Sequence, residues 1–216
     1  MSEDTAPTVR ISAIEPQKHS LERVNVYVDG AFRIALAHEV VVRAGLRTGD
    51  DLTEARLEEL AAEDLFWKAR DSSLNLLSFR ARTAAELRRR LREKGFPDEV
   101  VERCVGELVE RGLVDDSSFA ETFVRDRVRL RPSGARRLAQ ELRRKGVDPD
   151  TAGEAIEEVL RTEEVSELEL ARVAASKWAR RSGEEPERAR RRLYGFLARR
   201  GFGGDTVRQI MEEIDL

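Results

Sequence analysis

Aromatic residues make up only 6% of this chain, cysteine occurs once, and histidine twice, as His19 and His38. These shortages exclude a good deal. With so few rings a core must be built from Leu, Val, Ala and Ile, a mixture that with abundant Arg and Glu favours helices. A lone cysteine forms no internal disulfide, and Cys104 shares a predicted helical face with Val101, Val105 and Leu108, the place of a core thiol and not of a nucleophile. Cysteine and histidine together are too few for a zinc site. The two histidines lie in different predicted elements, and no serine or cysteine stands in a nucleophile elbow. Gly201-Phe202-Gly203-Gly204 lacks the Lys-Ser/Thr that completes a phosphate loop. The carboxylates sit mid-helix among arginines, where ion-paired solvated faces are expected and a magnesium site is not. Apolar runs such as Val40 to Val42 are too short to cross a bilayer, and the N-terminal MSEDTAPT has neither the cationic nor the apolar part of a secretory signal. The expectation is a cytoplasmic protein with no membrane contact, no cofactor, no metal and no catalytic centre.

What the chain does contain is a repeat. Leu87, Leu91, Lys94, Gly95 and Phe96 recur as Leu138, Leu142, Lys145, Gly146 and Val147, and again as Leu193, Leu197, Arg200, Gly201 and Phe202. Two leucines four apart lie on one helical face, a cation occupies the last turn, where the helix dipole favours it, and a glycine supplies a left-handed C-cap. Apolar spacing after each copy also matches: Val101, Val105 and Leu108, then Ala152, Ile156 and Val159, then Val207, Met211 and Ile214. Three boxes with matched downstream spacing make a repeat architecture.

Along the chain, Val9 to Ile14 and Arg23 to Val28 favour strands. RVNVYVDGAFRIALA reads as a hairpin turning at Asp29-Gly30. Short helices over His38 to Ala44 and Thr53 to Ala62 would cover one face of it, and the paired aspartates of Thr48-Gly49-Asp50-Asp51 read as a turn and helix cap. From about Glu63 the chain reads as helices. The first helix of the first repeat, roughly Ala61 to Phe79, places Leu65, Ala69, Leu76 and Phe79 on one face. Thr83 caps the box helix with Glu86 three residues on. Asp115-Asp116-Ser117 starts the second repeat, whose first helix shows Phe119, Phe123 and Leu130 as its apolar face. Leu170, Ala174 and Trp178 belong to the first helix of the third repeat, and Ser182 to Pro186 is the longest interruption. Trp67 and Trp178 lie on apolar faces and read as core. The fold expected is mostly α: residues 1–60 as a small N-terminal β-hairpin and helix module, then three tandem three-helix repeats over 61–113, 114–162 and 163–216 in an elongated curved array. Units of this size bury little surface alone and lean on their neighbours.

The net charge of −3 hides strong local segregation. Arg125 to Lys145 holds nine basic residues against Asp126 and Glu141, and Asp148 to Glu169 holds nine acidic ones against Arg161. In every repeat the second helix is cationic and the third anionic. With the leucines turned inward, the outer faces carry Arg89 and Arg92 in the first copy, Arg136, Arg137, Arg143 and Arg144 in the second, and Arg191, Arg192 and Arg199 in the third. Two readings are open. The arginines pair with the acidic third helices, at about 0–1 kcal/mol per surface pair, or they form a periodic cationic surface suited to a polyanion or a repeating protein lattice.

LLSFRARTAAELRRRLREKGF, GLVDDSSFAETFVRDRVRLRPSG, RRLAQELRRKGV and RRRLYGFLARRGF, taken together over Leu74 to Ile214, resemble the RecX family of bacterial recombinase regulators. The most specific part is Asp115-Asp116 with Phe119-Ala120, Val124 and Arg127, then Gly134, Leu138, Glu141-Leu142 and Gly146; Phe123 stands where a larger aromatic such as Trp is expected. The resemblance implies a non-enzymatic regulator of RecA; a monomer is the expectation, though the sequence does not itself decide the oligomeric state. The regulator would lie in the groove of the RecA nucleoprotein filament and hinder filament growth, ATP hydrolysis, strand exchange and co-protease function, so modulating DNA repair, recombination and the SOS response. Candidate RecA or DNA contacts are then Arg127 with the outer arginines named above. The alternative is a direct DNA-binding protein, single- or double-stranded, using the second and third helices as helix-turn-helix pairs, though acidic third helices would have to approach phosphate. A passive helical scaffold would do neither.

Overall fold

A computed structural model describes residues 8–18, 20–179 and 186–214, and the chain divides into two compact units. The first comprises residues up to 80 together with 88–108; the second comprises 81–87 and the chain from 109 onward.

In the first unit, alternating apolar residues build an antiparallel sheet in the order β3-β2-β1-β4, from β1 (Thr8–Gln17), β2 (Ser20–Val28), β3 (Ala31–Ala37) and β4 (Asp51–Thr53). The β2-β3 hairpin turns at Asp29 and Gly30, with φ of 50° and 81°, as the two-residue turn requires. Ile11, Val24, Val26 and Leu36 point to one face, which α1 (His38–Ala44) and α2 (Glu54–Phe79) cover with Val40, Leu57 and Leu60. Strand β4 was not expected. Asp51 opens it and does not cap a helix, Leu52 pairs with Val9 and is buried, and Thr53 Oγ1 takes over the capping by accepting from Arg56 N–H at 3.2 Å.

Helix α2 is also a correction. The two helices expected over Thr53 to Ala62 and Ala61 to Phe79 are one, because no glycine or proline interrupts them; the expected division at residues 60 and 61 falls inside it. Its buried face runs through Leu57, Leu60, Asp64, Phe66, Ala69 and Ser73, whereas Leu65 and Leu76 are half-buried and Phe79 is 77% exposed. Asp64 accounts for the shift. An apolar-pattern reading puts an aspartate outside, yet this one is 1% exposed, accepting from Ala37 N–H at 2.7 Å and Arg23 Nη2 at 3.0 Å and pairing with Lys68 Nζ at 2.8 Å. Three donors make that burial tolerable.

The boxes fold alike. α3 (Ala84–Glu93), α4 (Asp98–Glu110), α5 (Asp116–Leu130), α6 (Ala135–Arg144), α7 (Pro149–Thr162), α8 (Glu167–Ala179), α9 (Pro186–Arg199) and α10 (Gly204–Glu213) follow in order. Leu87, Leu91, Leu138, Leu142, Leu193 and Leu197 are each at most 1% exposed. Gly95, Gly146 and Gly201 are left-handed, at φ of 86°, 85° and 80°. In each box the glycine amide closes on the carbonyl three residues back, and the next amide closes on the box leucine five back: Phe96 on Leu91, Val147 on Leu142, Phe202 on Leu197. These bonds occupy helix-end carbonyls that would otherwise lack partners. Within the second unit, α5 to α10 bury one continuous core that includes Val124, Leu142, Ile156, Leu170, Leu197 and Ile210. The buried face of α5 is Ala120, Val124 and Val128; Leu130 is 77% exposed, while Phe119 and Phe123 are half-buried. Met1 to Pro7, His19 and the interruption before Pro186 lie outside the described residues.

Two joints of one design occur in the second unit. The start of α3 sits on the loop ending α6: Thr83 Oγ1 donates to the Lys145 carbonyl at 2.6 Å, and a Cβ on Gly146 would come within 2.2 Å of Ala85 Cβ. The start of α6 sits on the loop ending α9: Gly134 N–H donates to the Arg200 carbonyl at 2.9 Å, and a Cβ on Gly201 would lie 2.5 Å from the Arg137 amide nitrogen. A carboxylate from the next repeat seals each joint. Asp116 Oδ1 accepts from Ala84 N–H at 2.8 Å and Glu167 Oε1 from Ala135 N–H at 3.3 Å, placing negative charge at helix N-termini.

Gly134 needs no left-handed backbone, at φ −73°, but a Cβ there would sit 2.2 Å from the Gly201 carbonyl oxygen. Gly134→Ala should therefore cost about 1–3 kcal/mol through overpacking. Gly153→Ala, inside α7 with nothing near, should gain about 0.4–1 kcal/mol; urea denaturation of the two variants checks the contrast. Asp64→Ala strands the Ala37 amide and should lower stability by about 1–3 kcal/mol in the same measurement.

Candidate functional site

Whether an outer arginine is free is decided by what the following helix places opposite it. Two positions matter, eleven and fifteen residues after the first box leucine. The first repeat has Asp98 and Glu102 there, the second Pro149 and Gly153, the third Gly204 and Arg208. In the first repeat the cations are accordingly spent. Arg92 meets Asp98 at 2.6 Å and Glu102 at 2.8 Å, and Arg88 meets Glu102 at 2.7 Å. Arg89 pairs along its own helix with Glu93 at 3.6 Å.

The other two repeats lack those acids. Arg136, Arg143 and Arg144 on α6, and Arg191 and Arg199 on α9, are exposed and have no ion pair among the described residues; Arg192 is exposed beside them. Two of the expected contacts behave differently. Arg137 and Arg127 converge on Glu141, at 2.7 and 2.9 Å, and are half-buried. Burial acts to raise the Glu141 carboxyl, but hydrogen bonds from Arg127 and Arg137 outweigh it and hold the group below the usual carboxylate range. Arg127 also lies over Phe123, 4.6 Å from the ring centre, and Lys145 lies over Phe119 and Phe123 at 5.7 and 5.3 Å. This cluster braces α5 against α6 and accommodates phenylalanine at position 123.

Of the free arginines, Arg136, Arg143, Arg191 and Arg199 line two grooves, both in the second unit, and Arg144 lies outside them. One, of about 520 Å³, runs along α6 beside Pro149 and Ala152 of α7 and gathers Arg136, Arg137 and Arg143 with Arg199 and Gly201 from the end of α9. The joint at Gly201 is what brings second-repeat and third-repeat cations together. The other, of about 570 Å³, occupies the corresponding place between α9 and α10, with Arg190, Arg191, Tyr194 and Arg208. Arg200 shows the field at this end of the unit: burial first, then the nearby Arg131 and Arg137, push its guanidinium below the usual arginine value, and its Nη1 donates to the Pro132 carbonyl at 2.9 Å. Guanidinium forks in open grooves suit phosphate or carboxylate oxygens. A groove of about 380 Å³ in the first unit is lined instead by Glu22, Glu39 and Asp71 together with Arg70; burial, then Glu22, raises the Asp71 carboxyl.

Outside these grooves, the groups considered for chemistry in the sequence are placed apart among the described residues. Cys104 is 1% exposed, 3.8 Å from Ser73 Oγ, and burial pushes its thiol up, away from the reactive thiolate. His38 is exposed at the start of α1. Among the described residues no three His, Cys, Asp or Glu side chains are placed to hold a metal, and no helix is long and apolar enough to cross a membrane. Sequence reasoning missed the sealing acids Asp116 and Glu167 and the loss of acids opposite the second and third box helices. The second signal was present, since spacing from the box leucine alone identifies those positions.

Comparison with known proteins agrees with this architecture throughout the chain. Family models match the RecX N-terminal domain at residues 9–53, and the first, second and third RecX three-helix domains at 69–108, 115–156 and 166–211. Regulatory protein RecX of Clostridioides difficile is 30% identical over 205 residues, covering 94% of this chain and 95% of that protein. The Amycolatopsis mediterranei protein is 41% identical over 156 residues, 72% of this chain and 87% of its own. A crystal structure of regulatory protein RecX superposes with a TM-score of 0.80 at 29% identity, over 95% of this chain and all (100%) of that one. RecX from Lactobacillus salivarius gives 0.61 at 26% identity, over 70% and 97%. With four domain types in order, a relative matched nearly end to end, and the same fold in a solved structure, the chain belongs to the RecX family of regulatory proteins.

Proposed function

We propose that this chain regulates RecA, as a monomer and without catalysing a reaction, by binding the assembled RecA–DNA filament through its second and third repeats. Bound there, it hinders filament extension, ATP hydrolysis, strand exchange and co-protease activity, and so restrains recombinational repair and the SOS response. Family membership supports the regulatory role. The observation that carries the contact surface is the convergence of unpaired Arg136, Arg143 and Arg199 in one groove. A second cationic groove in the next repeat adds a further weak contact on the same chain, and linked weak contacts gain through effective concentration. The groove chemistry suits acidic protein surface or a phosphodiester backbone.

Direct DNA binding is the second reading, and one observation favours it. The acids of the third helices were its main obstacle, but Pro149, Gly153, Gly204 and Arg208 hold the positions opposite the arginines, so phosphate could enter without meeting them.

Reversing Arg136, Arg143 and Arg199 to glutamate should abolish inhibition of RecA ATPase on single-stranded DNA and leave the melting temperature unchanged. Arg172→Glu, which breaks a surface pair with Glu213 outside both grooves, should leave inhibition intact. If the triple variant inhibits as well as the parent, this surface is not the contact. A salt titration separates the two readings: a requirement for assembled RecA supports filament binding, whereas RecA-independent binding to naked DNA with a steep salt slope supports the second.

A further inference from the structure

The three box helices end in the same loop, but only two of the loops are occupied. At Gly146 and Gly201 a helix N-terminus approaches so closely that an added Cβ would collide with it, and the Lys145 and Arg200 carbonyls accept a hydrogen bond from that helix. Gly95 has the same left-handed backbone and the same closing bonds, Gly95 N–H to Arg92 and Phe96 N–H to Leu91. A Cβ there would meet nothing within 4 Å, and among the described residues the Lys94 carbonyl has no partner of the kind seen at the other two. Among the described residues the chain itself supplies no plug. Each loop receives the box helix of the preceding repeat, and what precedes α3 is α2, whose N-terminus is committed at Thr53 to strand β4.

We propose that the loop at Lys94–Gly95 is a docking socket for the N-terminus of a helix exposed on a RecA protomer of the filament, seated as α3 and α6 are seated on the inner loops. This rests on the filament-binding reading above. The inner joints specify the plug: a first turn with small residues, as at Ala84-Ala85 or Gly134-Ala135, and a hydroxyl or amide that donates to the Lys94 carbonyl. The end of α3 and the start of the incoming helix carry opposite ends of the helix dipole. A second copy of this chain fits the socket poorly. Its remaining box helix, α9, begins seven residues before Leu193, whereas α3 and α6 begin three residues before Leu87 and Leu138, and it begins with a proline, which has no N–H to donate.

The test is fluorescence anisotropy of binding to RecA-coated single-stranded DNA. Gly95→Asn keeps a residue that tolerates the left-handed conformation but fills the socket. Its affinity for the filament should fall at least tenfold, while its melting temperature and its binding to naked single-stranded DNA stay at wild-type values. In a second variant, Lys94→Cys is labelled after folding with a bulky maleimide; Cys104, 1% exposed, does not compete for the reagent. The labelled protein should lose affinity relative to its unlabelled self, and it decides the matter if Gly95→Asn folds poorly. Filament affinity equal to wild type in both blocked proteins overturns the socket and leaves the filament reading standing. A wild-type protein that does not bind the filament overturns both. Wild-type dimers in light scattering that dissociate in the blocked proteins assign the socket to a second copy and overturn the proposal.

Discussion

Everything in the helical part of this molecule depends on a helix being able to end in a loop that another helix can touch. A side chain on the left-handed residue would prevent it twice over, by straining the backbone and by occupying the space the neighbour needs. Glycine removes both obstacles, and the two bonds that close the loop satisfy carbonyls before the neighbour arrives. What the incoming helix then requires is an acceptor for its open amides, and a carboxylate from the next repeat provides it. Sequence order is thereby converted into spatial order. The box fixes the loop, the loop fixes where the preceding box helix starts, and the acid two helices away confirms the register.

The same joint explains why cations from different repeats share a groove. Arg199 belongs to the last turn of α9 and Arg136 to the first turn of α6, and they meet because the Gly201 loop carries the start of α6. Pairing then sorts the arginines. Where an aspartate and a glutamate face the box helix, as in the first repeat, charge is consumed within the fold; where proline and glycine do, it is left for a partner. Three similar helices thus differ in electrostatic role through two substitutions each on a neighbouring helix. Arg137, which a helical wheel alone places outward, is drawn in by Glu141 one turn later.

How much of this was legible depended on distance along the chain. The leucine pairs, the glycine stops, the hairpin at Asp29-Gly30 and the buried Cys104 are local patterns, and each is where its neighbours in sequence require. What local pattern misplaced is equally instructive. Phe79 and Leu130 are large and apolar, yet both lie at helix ends and are exposed, beyond Ser73 and Val128, the last buried residues of their helices. Asp64 is charged, yet buried, because its donors come from Arg23 and Ala37, far away in sequence. Strand β4 is three residues long and exists only because β1 offers it an edge. The sealing roles of Asp116 and Glu167 could not be read at all, since each serves a helix from a different repeat.

The core shared by α5 to α10 has an evolutionary consequence. Ile156 and Leu170 flank the link between the second and third repeats, and both contribute to one apolar interior with Leu142 and Leu197. Neither half of that interior has a wall of its own to present to water, so an ancestor that carried either repeat alone would have needed another surface in its place. Removing either repeat would therefore open the interior of the other, since residues of both line the same core.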